Sequence, residues 1–263
     1  MRQSVVVAAL AMAIFRGAWA ADGPAGEHLH LRANEYLVAD ARESPRMDDG
    51  GSWSVQFWLR LGERPPLPFQ QRILLARPGA WALIVRRYER HWRPADHDAP
   101  LAPALATELA LVAHTESGHV GSIGLMDLTH GEWLRISIDL TPGGGGRFEI
   151  GGRRREERIA IAVIGGSLPG TQGPLYVGGA PPGAWQDAVD GALPYSPIAL
   201  TTVELDDLHF ATVRRGLDGV KWRARPDEDT AAFWRFDEGE RADRYTSMNP
   251  HQISLHRATL GVE

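Results

Sequence analysis

The 263 residues can make one large β domain or two small ones. Hydrophobic residues make up 43% and charged residues 23%, which supplies a core and excludes wholesale disorder. The formal net charge of −5 argues against nucleic acid or an anionic membrane as partner, and the lack of cysteine excludes disulfides, zinc–thiolate sites and cysteine nucleophiles.

Residues 1–20 read as a secretory signal. Arg2 supplies a basic start, residues 5–15 form an apolar run too short to span a bilayer, and "AWA" before Ala21 is a small-x-small cleavage site. Cleavage would remove Arg2 and Arg16 and no acid, leaving 26 basic against 33 acidic residues, a net −7. The mature segment, 21–263, is then secreted or held in the periplasm or cell envelope. No later apolar run is long enough to cross a membrane.

From there the strand signal is alternation. In "SWSVQFWLRL", Trp53, Val55, Phe57, Leu59 and Leu61 share one face, and Ser54, Gln56, Trp58 and Arg60 the other. "RILLA" and "WALIVRRY" follow around the turn signal "RPG". The Pro-rich stretch 95–107 is expected to be a loop. "TELALVAH", "HVGSIGLMDL" and "EWLRISIDL" are further strands, the last with Leu134, Ile136, Ile138 and Leu140 inward. "TPGGGG" is expected to be a loop, since glycine loses the most entropy in regular structure. "RFEIGG", "RIAIAVIGG", "PLYVGG", "VELDDLHF" and "AAFWRF" complete the set, with a second Pro-rich loop at 179–197. About a dozen short strands with Gly/Pro turns, no long helix, no repeat and no linker predict one all-β domain, a two-sheet antiparallel sandwich or barrel.

These segments resemble, in order, the LamG-like, concanavalin A-type jelly roll. "NEYLVADARESPRMDDGGSWSVQFWLRL" stands where that family opens with a strand and an "sfTvsfWvrl" segment. "GEWLRISIDL" is similar to "geWhhvavtyd", "RFEIGGRR" to "lrlyvNGel" with Gly151 in place of Asn, and "GPLYVGGA" to "plyiGg". "VELDDLHFATVRR" resembles "iDevriyn.ar", and "PDEDTAAFWRFDEGE" resembles "pdedtvalyhFdEgsG". The resemblance implies a jelly roll across 21–263 in which the late "AAFWRF" strand joins the sheet of the early strands, central in space. After "FDEGE" the family pattern is lost.

Some glycosidases of this fold carry Glu-x-Asp-x-x-Glu on one strand, one Glu as nucleophile and one as acid/base. Glu204 and Asp206 fit, but His209 stands where the second Glu belongs, so no catalytic residue is assigned. Leu205 and Leu208 are three apart, which predicts a bulge at Asp206–Asp207. Acidic turns invite a structural calcium, and Asp206, Asp207, Asp237 and Glu238 are its candidate ligands, against a plainer reading as solvated turn carboxylates. His28 and His30 share a strand face, but two ligands alone make no zinc site. Trp53, Trp133 and Trp234 are expected in the core. Trp92 and Trp185 fall in Pro- and Gly-rich loops, and with His97 they are the candidate ligand contacts. The whole reads as a non-catalytic recognition module for a glycan or an extracellular protein. A glycoside hydrolase and a structural envelope protein are the alternatives.

Overall fold

Every second side chain along the predicted strands is apolar, so each strand has one face to bury, and two sheets can bury their faces against each other. The computed structural model describes residues 24, 27–32, 34–42, 44–45, 51–62, 70–92, 102–114, 120–126, 128, 130–141, 145–152, 155–163, 173–181, 202–217, 225–248 and 252–259. The expected leader at 1–20 lies outside them. Among the described residues there are fifteen strands and no helix. The first five are β1 (Leu29–Leu31), β2 (Glu35–Ala39), β3 (Trp53–Leu61), β4 (Gln70–Arg77) and β5 (Trp81–Trp92). Then come β6 (Ala102–His114), β7 (Val120–Met126), β8 (Trp133–Leu140), β9 (Gly145–Gly152) and β10 (Arg155–Val163). The last are β11 (Leu175–Val177), β12 (Val203–Ala211), β13 (Thr230–Trp234), β14 (Arg244–Thr246) and β15 (Ser254–Thr259).

They form a two-sheet antiparallel sandwich of jelly-roll type. The first sheet runs β1-β12-β3-β8-β9-β10, with β13 also paired to β12, and the second runs β14-β15-β2-β11-β4-β5-β6-β7. One core lies between them. Val55, Phe57, Leu59, Ile136, Ile138 and Phe148 come from the first sheet and Leu37, Leu75, Leu83, Leu111 and Leu255 from the second. No helix among the described residues is long and apolar enough to cross a membrane.

The "AAFWRF" strand does join the sheet of the early strands, since β13 and β3 both pair with β12. It is not central. β1 takes one half of a β12 edge at Val203–Leu205 and β13 the other half at Leu208–Ala211. The expected bulge is present: Asp206 faces Trp58 and His209 faces Gln56, so β12 carries one extra residue, and Asp207 takes φ 49° to absorb it.

Two further expectations are corrected. The Pro-rich stretch is not all loop, because β6 starts at Ala102 and Pro103 pairs with His91. Pro103 is tolerated there because β7 reaches β6 only from Glu108 to His114, so no ladder on that side needs its missing N–H. The last two glycines of "GGGG" are strand, with Gly146 held between Leu140 and Ala162. And β14 and β15, past the end of the family pattern, complete the second sheet by adding to β2.

Candidate functional site

Antiparallel register brings residues far apart in sequence into rows across the outer face of the first sheet. One row is His30, Glu204, Arg60 and Trp133. The next is Asp206, Trp58, Arg135 and Gly151. The third is Phe233, His209, Gln56, Ser137 and Glu149. The fourth holds Ser54, Asp139 and Arg147. Trp133 is therefore not in the inter-sheet core as expected. It follows from Leu134 facing inward that its neighbour faces out.

Glu204 is the centre of the first row. Arg60 pairs with its carboxylate, His28 Nε2 lies 3.4 Å from Oε2 and His30 Nδ1 lies 3.4 Å from Oε1. Glu240 adds a second acid 3.7 Å from His28 Nε2. The Arg60 guanidinium sits 5.1 Å over the Trp133 ring, and His28 meets the same ring edge-on at 5.3 Å. Trp58, Trp133 and Leu217 make a small apolar cluster of their own, apart from the main core.

At the bulge, burial and then the adjacent Asp207 carboxylate push the Asp206 carboxyl up to about 8. Asp206 is thus mostly protonated at neutral pH, two residues from Glu204 on the same face. The Asp207 N–H donates to Asp206 Oδ1 at 2.8 Å. Burial holds the His209 imidazole down to about 4, and its Nε2 meets Thr230 Oγ1 at 2.9 Å.

Residues 212–217 cross the third and fourth rows as a strap. Ser54 Oγ donates to the Val213 carbonyl at 2.8 Å and Gln56 Nε2 to the Gly216 carbonyl at 2.6 Å. Asp139 Oδ1 accepts from the Arg215 N–H at 3.2 Å, and Glu149 Oε2 accepts from the Leu217 N–H at 2.6 Å. Gly216 has φ 60°, and a Cβ there would stand 2.8 Å from Glu149 Oε2, so the close approach requires glycine. Burial raises the Asp139 carboxyl above its ordinary range, against the strap N–H bonds and Arg214.

The sequence candidates fare unevenly. Asp206 and Asp207 are buried, whereas Asp237 and Glu238 are exposed. Arg235 reaches Asp207 at 3.9 Å and Asp237 at 3.6 Å, and Glu238 Oε1 accepts the Thr246 N–H at 2.9 Å. Among the described residues no group of three or more His, Asp or Glu side chains is arranged to hold a metal ion. Trp92 is not in a loop: it closes β5, paired with Ala102, in the second sheet. His97 and Trp185 lie outside the described residues. Sequence reasoning missed Trp58, Trp133, Arg60 and Arg135 as a site, although the alternation already set Trp58 and Arg60 on the face away from the core.

Neither a protein-family model nor a curated protein sequence matches the chain. Among solved structures, a provisionally assigned carbohydrate-binding protein from Bacteroides ovatus aligns over 90% of this chain and 60% of its own, at 10% identity and a TM-score of 0.52. The chain thus spans about 60% of that protein's length. The binding domain of botulinum neurotoxin serotype D aligns over 70% of this chain and 41% of its own, at 9% identity and a TM-score of 0.39. An alginate lyase from Alteromonas sp. aligns over 69% and 78%, at 10% identity and a TM-score of 0.37. At 10% identity the likeness to the Bacteroides ovatus protein is one of fold.

Proposed function

We propose that the chain is an exported, LamG-like recognition module that binds a glycan on the outer face of its first sheet, without cleaving it. The observation behind this is the pair of rows that sets Trp58 and Trp133 beside Arg60, Arg135, Glu204, His28 and His30. Indole faces pack against sugar C–H surfaces, and charged groups that are partly desolvated hydrogen-bond hydroxyls or carboxylates with direction. The carbohydrate-binding assignment of the Bacteroides ovatus neighbour agrees with this reading. Export rests on the leader pattern at 1–20.

The experiment is a glycan array with residues 21–263, followed by titration of any retained glycan against Trp133→Ala and Arg60→Ala. Each variant should weaken binding at least tenfold. Retention of an extracellular protein and no glycan would overturn the choice of ligand.

One observation favours a second reading, a glycoside hydrolase. Glu204, paired with Arg60, and Asp206, whose carboxyl burial raises to about 8, share a face of one strand, and a hydrolase of this kind needs two carboxyls of which one keeps its proton. His209 in place of the third acidic position argues against it. Reducing-sugar release from β-glucan, xylan or agar that disappears in Glu204→Gln would establish the hydrolase.

A further inference from the structure

We infer that residues 212–217 are a displaceable cover that closes this binding face, with Leu217 occupying the place on Trp58 and Trp133 that a sugar ring takes. The inference rests on the glycan-binding reading above and adds its regulation.

The chemistry under the strap supports it. A permanent cover normally buries apolar surface, because that is what stabilises closure. Here the strap crosses Ser54, Gln56, Ser137, Asp139 and Glu149, polar side chains that are all buried beneath it. Its grip on Ser54, Gln56, Asp139 and Glu149 is side-chain hydrogen bonds to its backbone. Each such bond gives a modest net gain over the water it replaces, larger where the acceptor is a carboxylate, so water entering the open face offsets most of what is broken. The closed face is also imperfect. Among the described residues, Gln56 Oε1 and Ser137 Oγ, opposite each other across β3 and β8, are buried without a hydrogen-bond partner. A ligand hydroxyl that reached this row with the strap lifted would satisfy both.

Among the described residues, the strap's buried apolar side chain is Leu217. Leu217 packs with Trp58 and Trp133, and a Cβ on Gly151 would touch its Cδ1 at 3.4 Å. Arg215 ties the strap laterally to Asp227 at 2.6 Å, in the turn before β13 and not in the sheet below. An element held by one buried leucine, exchangeable hydrogen bonds and the exposed Arg214, 3.9 Å from Asp139, can be lifted by a ligand that binds the open state better.

Native-state hydrogen exchange of the wild-type chain tests the strap without any ligand. The Gly216 and Leu217 amides should exchange at least a hundredfold faster than the ladder amides of Ile136 and Ile138, at a rate independent of low denaturant. Exchange of the strap together with the ladder, by global unfolding, would overturn the cover. The second arm adds the glycan found on the array. It should speed exchange at Gly216 and Leu217, and Leu217→Ser should bind it at least tenfold tighter and expose Trp58 and Trp133 to acrylamide quenching. Slower strap exchange on binding, or weaker binding by Leu217→Ser, would make the strap a wall of the site and sink the inference. If no glycan is retained, the functional reading fails, while the ligand-free exchange still decides whether the strap opens.

Discussion

Asp206 and His209 stand on opposite sides of one bulge and are perturbed in opposite directions by the same cause, burial. An unfolded aspartate titrates near about 3.9 and an unfolded histidine near about 6.5. The Asp206 carboxyl is raised in the fold, so its proton stabilises the fold fully below the unfolded value. That contribution is lost as pH rises through about 8. The His209 imidazole is depressed, so its contribution is present above the unfolded value and lost as pH falls through about 4. The two trends oppose each other between about pH 4 and 6.5, above which only Asp206 changes, and substitution separates them. Asp206→Asn, a neutral mimic of the protonated acid, should melt higher than wild type at pH 9 and close to it at pH 4. His209→Gln should flatten the acid limb and leave the alkaline one. Scanning calorimetry of the three proteins across pH checks both, and an Asn variant less stable than wild type at pH 9 would mean that the fold favours the Asp206 carboxylate over its protonated form. The bulge itself was legible from Leu205 and Leu208 three apart. The titrations were not, because they depend on what covers the strand.

At the scale of elements, the second sheet is fastened at one end by a buried charge cluster. Glu35 on β2 accepts from the Arg32 N–H at 2.9 Å and pairs with Arg241 at 2.6 Å and with Arg257 of β15 at 3.3 Å. Arg72 of β4 donates to the Gly178, Arg32 and Glu35 carbonyls, and burial lowers its guanidinium to about 9 despite the Glu35 charge. Breaking a buried pair by deleting one partner typically costs about 3–5 kcal/mol, because the other charge stays behind. Glu35→Ala should therefore lower the melting temperature by roughly 10 °C in a domain of this size. A shift within a degree of wild type would place the cluster in solvent. The strands that form this framework were readable wherever alternation ran long, as in β3, β8 and β12. Those that were missed are short or chemically atypical. β14 has three residues with only Tyr245 buried, and Pro103 and Gly146 enter strands against their local preference because neighbours pair with them. Trp92 was read as loop from the prolines around it, for the same reason. Rows such as Glu204–Arg60–Trp133 were not readable at all, since they join three strands whose register only the folded sheets determine.

Over the whole molecule, the C-terminal segment belongs to both sheets and so holds the sandwich together without disulfides. β13 covers half of a β12 edge in the first sheet, while β15 pairs β2 in the second. Between them, the Trp234 indole N–H donates to the Ile253 carbonyl at 3.0 Å, the Met248 N–H donates to the Phe233 carbonyl at 2.8 Å, and Tyr245 Oη donates to the Gly239 carbonyl at 2.7 Å. Trp234, Phe236, Tyr245 and Leu255 are fully buried in the shared core. A chain ending before Thr230 would lose these side chains and leave two unpaired edges, one on each sheet, above an opened core. It should be insoluble, or bind a hydrophobic dye and elute as aggregate in size-exclusion chromatography, where 21–263 elutes as one species with a cooperative melt. The proposed glycan-binding face would be altered with it, because His28 rests on Glu240, which is lost, as well as on Glu204. A truncated chain that stays soluble and monomeric, with the melt of the longer one, would show that the sandwich closes without its last three strands, and that the segment from Thr230 onward is an addition to a fold already complete.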